Sequence, residues 1–159
     1  MVELQSLNFP KRAQFHVNGI PEEKVGDWAD HMRGEAKMLG EKYPLRVGLS
    51  AVIEGTLPVG GLSSSAAVII AFLTALAKVN GLALGDWETI MLAKAAENRY
   101  VGVNCGKLDQ SCEVLCRKDH LLYMDCRDDS YTLIPWTGKP FKIAVFFSGL
   151  ERSLATSAY

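Results

Sequence analysis

Residues Pro58 to Ala67 read Pro-Val-Gly-Gly-Leu-Ser-Ser-Ser-Ala-Ala and run directly into an apolar helical stretch. A glycine-rich, hydroxyl-rich turn at a helix N-terminus has the outline of a phosphate site. Glycines let the backbone approach an anion, the first helical N–H groups point at it, and the helix dipole favours negative charge there. The serines Ser63, Ser64 and Ser65 add hydroxyls that can donate to phosphate oxygens or ligate a cation. The pattern is neither a Walker A loop, which needs Lys after its second glycine, nor the spaced dinucleotide fingerprint. Ser and Gly are equally what an ordinary capped helix start prefers, so composition alone leaves both readings open.

Two carboxylates further along could do chemistry. Glu97 falls in the last turn of a predicted helix, where it meets the negative end of the dipole. A bound divalent cation would compensate it, and so would simple exposure at the surface. Asp109 follows Gly106-Lys107-Leu108 and precedes a short helical segment. It reads as an N-cap worth about 1 kcal/mol or, held beside a cation, as a general base for phosphoryl transfer. His16, His31 and His120 share no spacing and adjoin no nucleophile motif, so they read as structural or surface groups. Trp28, Trp87 and Trp136 read as core or partly buried anchors.

The elements that must position these groups follow from periodicity. Ala13 to Val17 form a predicted strand, and Glu22 to Lys42 a polar amphipathic helix with Val25, Trp28, Ala29, Met32, Ala36 and Leu39 at helical spacing, stopped by Pro44. Arg46 to Glu54 alternate imperfectly, as expected of a half-buried strand leading into the Gly-Ser turn. Ser65 to Val79 make a helix apolar nearly all round, hence buried, and Asn80-Gly81 end it. Asp86 serves as the expected N-cap of a helix over 87–100, Gly102 to Gly106 break the pattern, and a short helix runs from Asp109 to about Cys116. Leu121 to Met124, Tyr131 to Ile134 and Lys142 to Phe147 complete the order as strands. The mixed order gives an α+β class.

The 159 residues are 48% hydrophobic and 22% charged, enough for one globular domain with its own core. A net charge of −1 argues against nucleic acid or an anionic membrane as the main partner and for a small molecule. The four cysteines, Cys105, Cys112, Cys116 and Cys126, have neither CxxC spacing nor nearby histidines, and read as reduced, mostly buried thiols. The N-terminus lacks the basic and apolar regions of a signal peptide, and 66–79 is too short to span a bilayer. The expectation is a cytoplasmic protein. The sequence gives no handle on oligomeric state.

Gly61-Leu62-Ser63-Ser64-Ser65-Ala66-Ala67, together with the run from Glu97 through Val103-Asn104-Cys105-Gly106-Lys107-Leu108-Asp109-Gln110, resembles the GHMP kinases, and within them the galactokinase-like sugar kinases. Leu7-Asn8-Phe9-Pro10, Gly26-Asp27-Trp28, His120 to Arg127 and Ser153 to Tyr159 extend the resemblance over essentially the whole chain. It implies the N-terminal domain of that fold, of the ribosomal protein S5 domain 2-like kind, with a mixed β-sheet packed against helices. It also implies ATP and Mg²⁺ as cofactors and phosphorylation of a sugar, galactose first, at its anomeric hydroxyl. By the same resemblance Gly60, Gly61, Leu62, Ser63, Ser64 and Ser65 hold the ATP phosphates, Ser65 and Glu97 ligate Mg²⁺, Asp109 is the base, and Gly106 and Tyr159 line the sugar pocket with Asp109.

Departures accompany it. Only Val59 and Gly60 separate Pro58 from Gly61-Leu62, one residue fewer than the usual turn, and Lys107 and Ser111 replace the apolar residue and the aromatic that often flank the base. An Arg, Glu-His and Asp-Tyr motif expected upstream, the glycine-rich third motif and the C-terminal domain have no counterpart. The chain therefore reads as a single partial domain over 1–159, an internal piece expected to be inactive alone. The alternatives are a non-catalytic sugar- or nucleotide-binding homologue and a kinase for another sugar such as arabinose or fucose.

Overall fold

A computed structural model describes residues 1–57, 62–139, 142–146 and 149. Its first strand, β1 (Val2–Ser6), alternates Val2, Leu4 and Ser6 inward with Glu3 and Gln5 outward. It is the middle of a three-stranded mixed sheet in the order β2-β1-β3. β2 (Arg12–Phe15) lies antiparallel to it and β3 (Ser50–Ile53) parallel, so that Leu4 stands opposite both Ala13 and Ala51. A parallel pair needs a crossover, which α1 (Asp30–Lys42) supplies. Val2, Leu4, Ala13 and Phe15 from the sheet meet Met32, Ala36 and Leu39 from α1 and Phe72, Leu73 and Leu76 from α2 (Ser64–Val79) in one core.

α2 stops at Gly81, which takes φ +69°, and Leu82 N–H donates back to Ala77 O at 2.9 Å. α3 (Asp86–Ala95) continues without a break into a single π-helical turn, Ala96–Val101, closed by Gly102 at φ +83°. α4 (Leu108–Leu115) packs on α2 and α3, and β4 (His120–Asp125) and β5 (Ser130–Pro135) form a separate antiparallel hairpin. The class is α+β. Among the described residues no helix is long and apolar enough to cross a membrane.

Several expectations are corrected. The helix expected from Glu22 begins only at Asp30, because Gly26 adopts φ +91° and the Asp30 carboxylate takes the N–H groups of Val25 and Gly26, folding 22–29 into a loop. Of the strand expected over 46–54 only Ser50–Ile53 is regular. The Asn80 side chain instead holds the backbone of Arg46 and Val47, and Gly48 sits so close to Met1 that a Cβ would lie 1.8 Å from its carbonyl oxygen. β1 was absent from the sequence reading although Val2, Leu4 and Ser6 carry the period of two. α2 is buried on one face only; Ala71, Thr74, Ala75 and Lys78 are exposed. Asp86 is the first helical residue rather than a cap. Lys142 to Phe146 form no strand, since no described strand pairs with them, and Phe147 lies outside the described residues. The cysteines are free, but Cys105 and Cys112 are half-buried and Cys116 and Cys126 exposed.

Candidate functional site

α2 opens without the cap that its serines led one to expect. Ser63 occupies the N-cap position in the left-handed region, φ 45° and ψ 39°, and its side chain makes no capping hydrogen bond. The first turn carries no acidic residue. A non-glycine residue in this conformation costs about 1–2 kcal/mol, and here no cap bond returns any of it. Among the described residues, no side chain caps the positive end of this 16-residue helix. Leu62 and Ser64 are exposed and Ser63 and Ser65 half-buried. Gly60 and Gly61 lie outside the described residues, as does Tyr159.

Glu97 sits in the π-helical turn with only 4% of its surface exposed. That turn is held from three sides. Gly34 of α1 presses against it so tightly that a Cβ would lie 3.0 Å from Tyr100 Cβ and 3.2 Å from Ala96 O. Lys24 Nζ donates to Val101 O at 2.8 Å, and the N–H groups of Gly102 and Val103 both reach Glu97 O. The Glu97 side chain points inward, where its Oε2 accepts from Gln110 Nε2 and, at 3.5 Å, from the Cys105 thiol. Asn98 fixes Cys105 in turn through its backbone N–H and carbonyl. Burial and the neighbouring Glu97 charge push the Cys105 thiol up to about 11, so it remains a protonated donor.

A second carboxylate shares this interior. Glu35 of α1 is fully buried, neither of its oxygens has a hydrogen-bond partner among the described residues, and burial with the nearby Glu97 charge pushes it up to about 8. His31, one turn earlier on α1, feels the charges of Glu97 and Asp30; burial outweighs both and lowers its pKa, and its Nδ1 has no partner among the described residues. His31 is therefore next to the site rather than remote from it.

Asp109 presents the opposite environment. It lies in the first turn of α4, exposed, and Lys107 rather than Asp109 holds the N-cap position, so the expectation of a capping Asp is not met. Its carboxylate takes no hydrogen bond among the described residues. Lys107 is turned away to pair with Asp129 at the β4–β5 turn. Gly106 is exposed beside them.

The Gln110–Glu97 hydrogen bond ties the two carboxylates into one frame, because Gln110 adjoins Asp109 in α4. Among the described residues no three His, Cys, Asp or Glu side chains form a metal cluster. The donors are nevertheless those a hard divalent cation uses. Glu97 Oε2 takes both of its side chain's bonds among the described residues, leaving Oε1, and the buried Gln110 Oε1 and Ser111 Oγ have no partner. One or two carboxylates with phosphate oxygens suffice for Mg²⁺. Sequence reading missed Glu35 and Gln110. For Glu35 a signal existed: it lies three residues after Met32 and four before Leu39, on the face that turns to the core.

The model for the GHMP kinases N terminal domain matches residues 30–117. Galactokinase of Pyrococcus furiosus is 36% identical over 159 residues, 99% of this chain and 44% of that protein. Galacturonokinase of Arabidopsis thaliana is 37% identical over 177 residues, 98% of this chain and 42% of that one. The crystal structure of Lactococcus lactis galactokinase complexed with galactose superposes with a TM-score of 0.79 at 30% identity, covering 84% of this chain and 36% of that chain. This chain spans less than half the length of the curated relatives it matches. With the uncapped α2 start, the buried Glu97 and the exposed Asp109 all inside or beside the matched segment, the chain belongs to the GHMP kinases, in the family of their N-terminal domain.

Proposed function

We propose that the protein to which this chain belongs transfers the γ-phosphoryl group of ATP to the anomeric hydroxyl of a sugar, galactose in the first instance. The observation that carries this reading is the linked pair of carboxylates: an exposed Asp109 that takes no hydrogen bond among the described residues, next to a Gln110 that is hydrogen-bonded to the buried Glu97. Such a pair supplies an accessible base and a fixed anionic anchor, which is what a positioned phosphoryl transfer requires. The galactokinases and the galacturonokinase among its relatives support a sugar as acceptor.

In this reading Gly60, Gly61, Leu62 and Ser63 to Ser65, at the uncapped start of α2, hold the ATP phosphates through backbone N–H groups and hydroxyls. Asp109 takes the proton of the sugar hydroxyl as its oxygen bonds to the γ-phosphorus and the bond to the bridging oxygen of ADP breaks. Gly106, which leaves open backbone beside Asp109, and Tyr159 line the sugar pocket. Mg²⁺, held by Ser65 and Glu97, would supply neutralisation of phosphate charge. The Gln110 side chain keeps Glu97 oriented, and the lock of Gly34, Lys24 and Gly102 keeps the turn that bears it in place. The whole protein works in the cytoplasm on small soluble substrates. This chain alone, spanning less than half of its relatives, is inactive: positioning both reactants is worth roughly 7–11 kcal/mol, and the chain carries only part of the frame.

The test is ATP consumption by the whole protein with Mg²⁺ against galactose, galacturonate, arabinose and fucose. Turnover with galactose above the others supports the reading. Turnover only with another sugar corrects the acceptor. Nucleotide binding without turnover on any sugar contradicts the enzyme and favours a binding homologue.

A further inference from the structure

Asp109 is bracketed by two ties, and both end on neighbouring residues of one turn. On its C-terminal side Gln110 donates from Nε2 to Glu97 Oε2. On its N-terminal side Cys105 is gripped by the side chain of Asn98: the Cys105 N–H donates to Asn98 Oδ1 at 3.2 Å, and Asn98 Nδ2 donates back to the Cys105 carbonyl at 3.3 Å. The Cys105 thiol reaches the same Oδ1 at 3.1 Å. A side-chain amide that meets both the N–H and the C=O of one residue does for a loop what a neighbouring strand does for a sheet. Here the residue so held lies in the loop between the π-helical turn and α4.

Glu97 and Asn98 are consecutive in the turn that Gly34 and Lys24 lock. The mechanism above uses the Gln110–Glu97 bond and gives Asn98 no part. A single tie at Gln110 leaves the start of α4 free to pivot. The segment that leads into it contains Gly106, where an added Cβ would meet nothing within 4 Å, so neither packing nor a restricted backbone holds it there. The second tie, through Asn98 and Cys105, removes that pivot. Lys107 fastens the same segment to Asp129, but the β4–β5 hairpin carries none of the groups read as anchor, base or phosphate site, so this pair does not set the base relative to Glu97.

We propose that Asn98 is a positioning residue for the base: by clasping the backbone of Cys105 it fixes Gly106 and Asp109 relative to Glu97, so that the proton acceptor and the charge anchor keep one geometry. The inference rests on the reading of Asp109 as the base. Asn98 acts through Cys105 and not on a reactant. The effect is large because a misplacement of about 1 Å in a reacting group lowers a rate by as much as ~10²-fold.

The experiment is ATP turnover by the whole protein, with the sugar that the panel above selects, in the wild type, Asn98→Ala, Asp109→Asn and the double variant. The stoichiometry and affinity of ADP binding are measured for each. Asn98→Ala is expected to lower kcat and kcat/KM for the sugar together by about tenfold to hundredfold, with full ADP stoichiometry and an ADP affinity within about twofold of wild type. In the Asp109→Asn background the same substitution is expected to cost nothing further, because a residue that places the base has nothing to place once the base is gone. Turnover by Asn98→Ala within about twofold of wild type, or losses that multiply in the double variant while Asp109→Asn is itself impaired, overturn the role of Asn98 and leave the base standing. Near wild-type turnover by Asp109→Asn, or no turnover of the wild type with any sugar, defeats the reading of the base and this inference with it. Hydrogen exchange on the wild type needs no variant to fold: the Cys105 amide is expected to be protected like the interior amides of α4, and exchange at the rate of an open loop contradicts the clasp.

Discussion

Glu97 and Asp109 are two carboxylates joined through one hydrogen-bonded neighbour, and they live in opposite surroundings. Glu97 is 4% exposed and bonded to Gln110 and Cys105. Asp109 is exposed and bonded to nothing described. The difference follows from backbone: Glu97 is wound into a π-helical turn locked between Gly34 and Lys24, whereas Asp109 stands on the open first turn of α4. A group that anchors charge must be fixed, and a group that exchanges a proton with a substrate must be reachable. Under the proposed function, the contrast is a division of labour between anchor and base.

If the anchor is structural as well as functional, Glu97→Ala will show the largest loss of stability. It leaves Gln110 Nε2 without its acceptor in the interior, so unfolding free energy should fall by about 1–3 kcal/mol, read by urea titration. Gly34→Ala comes next. The added methyl group meets Tyr100 and the Ala96 carbonyl and must push the Glu97 turn outward; a loss of about 1–2 kcal/mol is expected, accompanied by a raised Mg²⁺ requirement that a merely local clash would not produce.

The pH dependence of the metal-free protein separates the interior from the exposed base. Glu35 keeps its proton up to about 8 in the folded state against 4.5 for the unconstrained group. Between those values the folded state binds more protons than the unfolded one, so stability falls as pH rises through the window. Thermal unfolding in EDTA should show this decline in the wild type and a flatter profile in Glu35→Gln. The smallest effect belongs to α2. Ser63→Gly releases the left-handed strain at the expense of chain entropy and should raise stability by about 0.5 kcal/mol, where the loss of a true serine cap would lower it.

The difference between the two carboxylates also marks what could be read from the sequence. The Gly-Ser turn was legible because its pattern, a turn before a helix, rests on local spacing. The helices at Ser64–Val79 and Leu108–Leu115 and the β4–β5 hairpin were legible for the same reason. Glu97 and Asp109 were singled out as carboxylates near a helix end and a helix start, but local spacing left their roles open and only the family resemblance assigned them. What escaped was tertiary. Asp109 reads as a cap until Lys107 is seen to hold that position. Gln110 is one polar residue among many until α4 packs and it meets Glu97. β1 went unread because a five-residue strand gains its meaning only from partners at positions 12–15 and 50–53. The early start given to α1 came from apolar spacing at Val25 that Gly26, at φ +91°, does not allow to form.

The central claim is that Asp109 is the accessible base and Glu97 the buried anchor of one site. It is tested most directly by galactose-dependent ATP turnover of the whole protein carrying Asp109→Asn, with thermal unfolding and ADP affinity measured alongside. The account predicts turnover reduced about 10²–10⁴-fold with stability and ADP affinity unchanged. Turnover within a few-fold of wild type, or a loss explained by unfolding, would contradict it.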